Sequence, residues 1–307
     1  MIARGEPNES WSKNQQKLDG LTAGAGFSIN AGHRHFCRAE SHAKERIMEK
    51  REQGDVAFIS GQWPLDREKP TILFIHGAGE SSLLWHAQVD GLKARANTVA
   101  VDLPGHGRSR GSAKQRVEDY AADLIDFITA IAAPNPIPCG LSMGGAIAQQ
   151  LLLDHADCFR AGIIVSSGAR LRVLPSLFDM IAQDFSAYVE MVDRLGFSEK
   201  TAAAVKQPFL EEHLKARPEV AGGDFKACDR FDVIARLASI RVPVLVISAA
   251  DDKLTPPKYA EFLAKHIAAS RRVHIPGAGH FVPIEKPQAV NAAIAEFLDG
   301  NYSGKID

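Results

Sequence analysis

Gly140-Leu141-Ser142-Met143-Gly144 joins a short apolar run to a helix-forming stretch, Gly144 to His155. Its two glycines flank a serine at the positions where a side chain would collide in a sharp strand-to-helix turn. Such a turn lifts the Ser142 hydroxyl into a crevice and makes it a candidate nucleophile. The backbone N–H of Met143, at the start of the helix, then faces the space where an oxyanion would form, aided by the positive end of the helix dipole. Alone, the pentapeptide is equally compatible with a glycine-rich turn whose serine only caps a helix, so its neighbours decide the matter.

Working outward, short β-branched runs alternate with amphipathic stretches from Val56 onward, the pattern of an α/β fold with a mostly parallel central sheet flanked by helices. Thr71 to Ile75, Thr98 to Val101, Gly162 to Val165, Val244 to Ile247 and Arg272 to Ile275 read as strands. Val117, Tyr120, Ala121, Leu124, Phe127, Ile128 and Ile131 recur at helical spacing and give one apolar face to pack on that sheet. Pro257 to Ile267 reads as a further crossover helix.

Between residues 169 and 240 the alternation stops. Leu171, Leu174, Leu177, Phe178, Ile181, Phe185, Tyr188 and Val192 suggest helices without a strand, so this segment is expected to be an inserted helical cap over the carboxyl edge of the sheet, where ligands bind in open α/β folds. The core is then expected in two pieces, residues 54–168 and 241–300. Residues 1–53, rich in Gly, Asn, Gln, Ser and charge, are expected to be a poorly ordered extension, with a charged helix possible from Ala43 to Gln53 and Met48 as an alternative start for the folded domain.

A serine hydroxyl is a weak nucleophile near neutrality and requires an imidazole to take its proton and a carboxylate to orient that imidazole. His280 follows a predicted strand in the loop Pro276-Gly277-Ala278-Gly279, which can carry an imidazole to the crevice. His274 lies inside the strand and reads as a hydrogen-bonded structural residue. The preceding strand runs into Asp251-Asp252; Asp252 is preferred for its spacing to Leu254-Thr255-Pro256, with Asp251 as the alternative. In His76-Gly77-Ala78-Gly79 the backbone can approach substrate, and the Ala78 N–H is the candidate second oxyanion donor. His76 reads as a brace for that loop.

These residues resemble the α/β-hydrolase superfamily, specifically its capped esterase, lactonase and C–C hydrolase branch. The order Ser142, Asp252, His280 matches, as do His76-Gly77, the run Asp102 to Ser109 and Gly277-Ala278-Gly279-His280-Phe281, so the likeness extends from about Thr71 to Phe297. The resemblance implies a structural role beside the site for Asp102 and His106, and attack by serine with no metal or organic cofactor. Relatives that open epoxides or displace halide carry aspartate at the elbow, which disfavours those activities here. Two departures stand out: Pro138 inside the central strand, which predicts a short or bulged strand, and Ala249 where the family often has glycine.

The expected activity is that of a carboxylic-ester hydrolase acting on a small or medium apolar ester or lactone. The alternatives are a C–C bond hydrolase or enol-lactonase, and a slow-turnover ligand-binding receptor or scaffold of the same fold; a perhydrolase would use peroxide at the same acyl-enzyme. Lys plus Arg number 36 against 37 for Asp plus Glu, so no overall field draws in nucleic acid or an anionic membrane, and a small-molecule partner is expected. No stretch approaches the roughly twenty apolar residues of a membrane span. The absence of a signal-like apolar run near Met1 and the scattered Cys37, Cys139, Cys158 and Cys228 suit a reducing cytoplasm.

His33, His35, Cys37 and His42 lack the spacing of a structural zinc site and are expected to bind no metal. Cys139 reads as a small packed residue, not a nucleophile. Arg170 and Arg172, at the junction of core and cap, are read as solvated, with a clamp for an acidic substrate group as the alternative.

Overall fold

The computed structural model describes residues 50–300. Eight strands form one sheet: β1 (Lys50–Gln53), β2 (Val56–Ser60), β3 (Thr71–Ile75), β4 (Asn97–Val101), β5 (Pro136–Leu141), β6 (Gly162–Val165), β7 (Val244–Ala249) and β8 (Ser270–Ile275). Their order is β1-β2-β4-β3-β5-β6-β7-β8. The pairs β1–β2 and β2–β4 are antiparallel, and every pair from β4 to β8 is parallel.

Every residue of β3 is buried, and its side chains divide between the two faces of the sheet as the pleat requires. Leu73 and Ile75 join one apolar cluster with α2 (Val117–Ala130) and α3 (Met143–Asp154). Ile72 and Phe74 join the other, with α1 (His86–Leu92) and residues such as Val290 and Ile294 of a C-terminal helix. This two-sided burial explains why the central strands read as continuous apolar runs.

Lys50–Gln53, expected within the disordered extension and in a charged helix, is instead the edge strand β1, in register with β2 from Lys50↔Ile59 to Gln53↔Val56. An edge strand pairs through its backbone on one side and tolerates charge on its exposed side chains; Arg51 also lies over the Trp63 ring, 5.3 Å from its centroid. The remainder of the expected extension, with the His33–His42 cluster and Cys37, lies outside the described residues.

Pro138 causes no bulge against β3, where it pairs with Leu73. Pairing with β6 begins at Cys139↔Ile163, one residue later, which spares the ladder the missing N–H.

Between β6 and β7 stand α4 (Pro175–Gln183), α5 (Phe185–Gly196), α6 (Ala203–His213) and α7 (Pro218–Arg230), with no strand beyond an isolated bridge between Arg170 and Asp232. Arg170 Nε holds the Asp232 carboxylate at 2.7 Å, and an Arg172 Nη1 donates to the Asp229 carbonyl. Both arginines thus fasten the two ends of this helical segment to each other. The chain then adds α8 (Lys258–His266), α9 (Val282–Glu285) and α10 (Pro287–Leu298). Among the described residues no helix is long and apolar enough to cross a membrane.

Candidate active site

The order β4-β3-β5 reverses the direction of winding, because β3 leads leftward to β4 and the chain returns to the right of β3 with β5. Loops leaving the carboxyl ends of β3 and β5 diverge there and open a crevice. The first loop carries Ala78, the second Ser142.

Ser142 follows β5 directly and has φ 55° and ψ −115°, a strained conformation for a residue with a side chain, costing on the order of 1–3 kcal/mol. The close approach of neighbouring backbone holds it there. A Cβ at Gly140 would lie 1.9 Å from the Gly144 carbonyl oxygen, and one at Gly144 would lie 2.2 Å from that of Ile75. Ser142 N–H donates to the Val165 carbonyl at 3.0 Å, and Ser167 Oγ donates to the Ser142 carbonyl at 2.7 Å. Ser142 as a whole is partly buried at the turn. Met143 is the first residue of α3, so its N–H has no intrahelical acceptor.

His280 and Asp252 meet. His280 Nδ1 lies 3.0 and 3.1 Å from the two carboxylate oxygens. The Asp252 carboxylate also accepts from Leu254 N–H at 2.9 Å, Thr255 N–H at 2.8 Å and Thr255 Oγ1 at 2.9 Å. Burial by itself would raise Asp252, but the imidazole and these donors hold its carboxyl below the usual range. Burial likewise pulls His280 down, and attraction to Asp252 overcomes it, leaving the imidazole above its ordinary 6.5. Nε2 is the nitrogen left for chemistry. Among the hydrogen bonds of the described residues none joins it to Ser142 Oγ; such contacts often close only around substrate.

Asp251 turns elsewhere. Its carboxylate accepts from Ser198 Oγ at 2.6 Å, and its N–H donates to the Ala278 carbonyl at 2.8 Å. His274 is exposed on β8, with Nδ1 3.1 Å from Ser248 Oγ. His76 is fully buried and braces two loops, Nδ1 on the Gly77 carbonyl at 2.8 Å and Nε2 accepting from Leu103 N–H at 3.0 Å. Burial and the neighbouring His106 keep it neutral, with a pKa of about 3. Cys139 is fully buried, which pushes its thiol well above the ordinary value and makes it inert.

Asp102 accepts from Ser82 N–H at 2.7 Å and Arg108 N–H at 3.1 Å, so it ties the loop after β4 to the loop after β3. His106 reaches Asp224 of α7 at 2.7 Å. Asp224 was not singled out by the sequence, yet it is completely buried and also accepts from Gly79 N–H at 2.8 Å and from the Tyr120 hydroxyl. One carboxylate therefore joins α7 to the Ala78 loop, the His106 loop and α2. Glu285 was missed too: it accepts from Gly279 N–H and Ser198 N–H, both at 2.9 Å, while His280 N–H donates to the Gly196 carbonyl at 2.7 Å. The end of α5 is thereby fixed against the His280 loop. Only Asp224 to His106 and Thr255 to Asp252 had any local signal, in the His106 motif and the Leu254-Thr255-Pro256 spacing.

Glu80 curls back on its own loop, accepting from Gly77 N–H at 2.9 Å. Burial raises its carboxyl to about 7. No group of three or more His, Cys, Asp or Glu side chains that could hold a metal ion occurs among the described residues.

The model of the alpha/beta hydrolase family matches residues 72–293. A 3-oxoadipate enol-lactonase from Acinetobacter baylyi is 26% identical over 243 residues, 74% of this chain and 88% of that enzyme. A pimeloyl-acyl-carrier-protein methyl ester esterase from Yersinia pseudotuberculosis is 28% identical over 249 residues, 75% of this chain and 93% of that enzyme. Among solved structures, a thermophilic esterase superposes with a TM-score of 0.69 at 33% identity, covering 79% of this chain and 92% of its own.

Proposed function

This chain belongs to the alpha/beta hydrolase family, and from that premise we propose that it is a serine hydrolase that cleaves a small or medium apolar carboxylic ester or lactone through an acyl-enzyme. The carrying observation is the buried contact of His280 with Asp252 at 3.0 Å, on loops at the same sheet edge as the strained Ser142 turn. Relatives named as esterases and as an enol-lactonase favour oxygen esters, linear or cyclic.

In the proposed cycle Ser142 Oγ attacks the substrate carbonyl carbon while His280 Nε2 takes its proton, and Asp252 stabilises the imidazolium. The N–H groups of Ala78 and Met143 receive the oxyanion, each such donor contributing roughly 3–4 kcal/mol to the barrier reduction. Collapse of the intermediate expels the alcohol, which takes the proton from His280. Water then gives a proton to the same nitrogen and attacks the acyl-enzyme, and a second collapse returns the proton to Ser142 and frees the acid. In a lactone the alcohol stays tethered to the product. The helices α4–α7 act as a cap in this account, and the substrate is a diffusible small molecule.

Turnover of a panel of nitrophenyl esters and lactones tests the proposal. Wild type is expected to hydrolyse several of them, with kcat reduced by about 10⁴-fold or more in Ser142→Ala and His280→Ala. No turnover across the panel, or tight binding of esters without turnover, would count against it.

A further inference from the structure

The loop after β3 carries the proposed oxyanion donor on a tight turn. Glu80 N–H donates to the Gly77 carbonyl at 3.4 Å and closes that turn, and Gly79 has φ 71°, the left-handed setting required at the third position of a type II turn. Gly77 N–H donates to Glu80 Oε2 at 2.9 Å, and Gly79 N–H donates to Asp224 Oδ2 at 2.8 Å. Ala78 N–H enters none of the hydrogen bonds of the described residues. Buried backbone donors are rarely left idle, so this one fits a group kept for ligand.

The bond from Gly79 leaves the loop. The closing bond of a turn fixes its two ends but lets the central peptide, here Ala78–Gly79, rotate, since type I and type II turns differ chiefly in the orientation of that peptide. Asp224 Oδ2 holds it one way round: after a flip the Ala78 carbonyl would face the carboxylate that now accepts the N–H. Asp224 is completely buried, with the Tyr120 hydroxyl donating to Oδ1 and His106 Nε2 2.7 Å from Oδ2. Ala221 lies three residues earlier on the same face of α7 and packs on the same glycine, 3.4 Å from where a Gly79 Cβ would be. The residue that follows the donor is thus clasped by α7 through a carboxylate and a methyl group.

We propose that Asp224 is a positioning residue for the reaction: reaching from α7 to Gly79 N–H, it fixes the turn that presents Ala78 N–H to the oxyanion, so that the helical segment completes the oxyanion site. This rests on the hydrolase function proposed above.

Steady-state hydrolysis of an activated ester, together with binding of two inhibitors, tests it. Asp224→Ala is expected to lower kcat by about 10- to 100-fold with KM within about threefold, the split produced when an interaction made only in the transition state is weakened. Asp224→Asn keeps an oxygen that can accept from Gly79 N–H, and is expected to hold kcat within about threefold of wild type. Ala221→Val leaves the carboxylate in place and crowds Gly79 from the same helix face, so it is expected to lower kcat by about tenfold; it carries the test if Asp224→Ala does not accumulate as folded protein. Asn97→Ala controls for lost stability, because Asn97 is buried at the amino end of β4, away from the site, and bonded to Asp66 and Lys69. Its kcat is expected to match that of wild type. A trifluoromethyl ketone, whose adduct with Ser142 bears the oxyanion, is expected to bind Asp224→Ala about tenfold more weakly than wild type, and the corresponding alcohol equally well. A kcat within about threefold of wild type in both Asp224→Ala and Ala221→Val, an equal loss in Asn97→Ala, an effect on KM alone, or equal weakening of ketone and alcohol would overturn the positioning role and leave the hydrolase function standing. A wild-type chain without turnover on any ester would overturn both.

Discussion

Asp251 and Asp252 are neighbours in sequence whose side chains have different partners. Asp252 faces His280, and Asp251 holds Ser198 of the helical segment. Steady-state kinetics on an activated ester should show Asp252→Asn lowering kcat by about 10³- to 10⁴-fold, while Asp251→Asn costs less than about tenfold. Because His280 must be neutral to accept a proton and its pKa lies above 6.5, kcat/KM is expected to fall on acidification with a midpoint above pH 6.5, a limb absent from Asp252→Asn at that position. Glu80 predicts a stability effect of opposite origin. Its folded pKa of about 7 exceeds the ordinary 4.5, so its contribution is complete below about pH 4.5 and is lost as pH rises through 7. Glu80→Gln, which cannot ionise, is therefore expected to gain up to roughly 3 kcal/mol relative to wild type between pH 5 and pH 8, measured by urea unfolding at both. The serine and histidine were readable because each sits in a local glycine motif. Glu80 was not, since its role depends on what folding brings beside it, while Thr255 and Asp224 left only the indirect signals of the Leu254-Thr255-Pro256 spacing and the His106 motif.

The elements that present these residues depend on backbone contacts that leave no room for side chains. Gly144 lies so close to the Ile75 carbonyl that a Cβ would approach within 2.2 Å, so Gly144→Ala should push α3 off β3 and cost several kcal/mol or prevent folding, read as loss of soluble protein or a lowered Tm. Asp224 is the corresponding polar fastener between α7 and the loops after β3 and β4. Removing one partner of a buried pair strands the other, and Asp224→Ala is expected to destabilise the chain by about 3–5 kcal/mol in urea unfolding. Periodicity found β3, β4, β6, β7, β8 and the central helices, because burial on one or both faces writes itself into the sequence, whereas β5 was read only as the run leading into the Ser142 turn. It missed β1, whose Lys50-Arg51-Glu52-Gln53 has no apolar alternation and joins the sheet through main-chain pairing with β2. It also overstated the effect of Pro138, because the place where β6 joins the sheet is a tertiary fact.

At the scale of the whole molecule, strand order does the decisive work. Reversal at β3 opens the crevice between the Ala78 loop and the Ser142 turn, and β7 and β8 deliver Asp252 and His280 to the same edge. The helical segment is bound to that edge at Asp224, Ser198 and Gly196, so its packing and the arrangement of the loops should be lost together on unfolding. The proposed function makes all of this converge on one hydroxyl, that of Ser142. The most direct measurement is therefore fluorophosphonate labelling of the purified chain followed by peptide mass spectrometry. The account predicts a single stoichiometric adduct on Ser142 that is absent from Ser142→Ala and strongly slowed in His280→Ala; an adduct on another residue, or one that persists in Ser142→Ala, would contradict it.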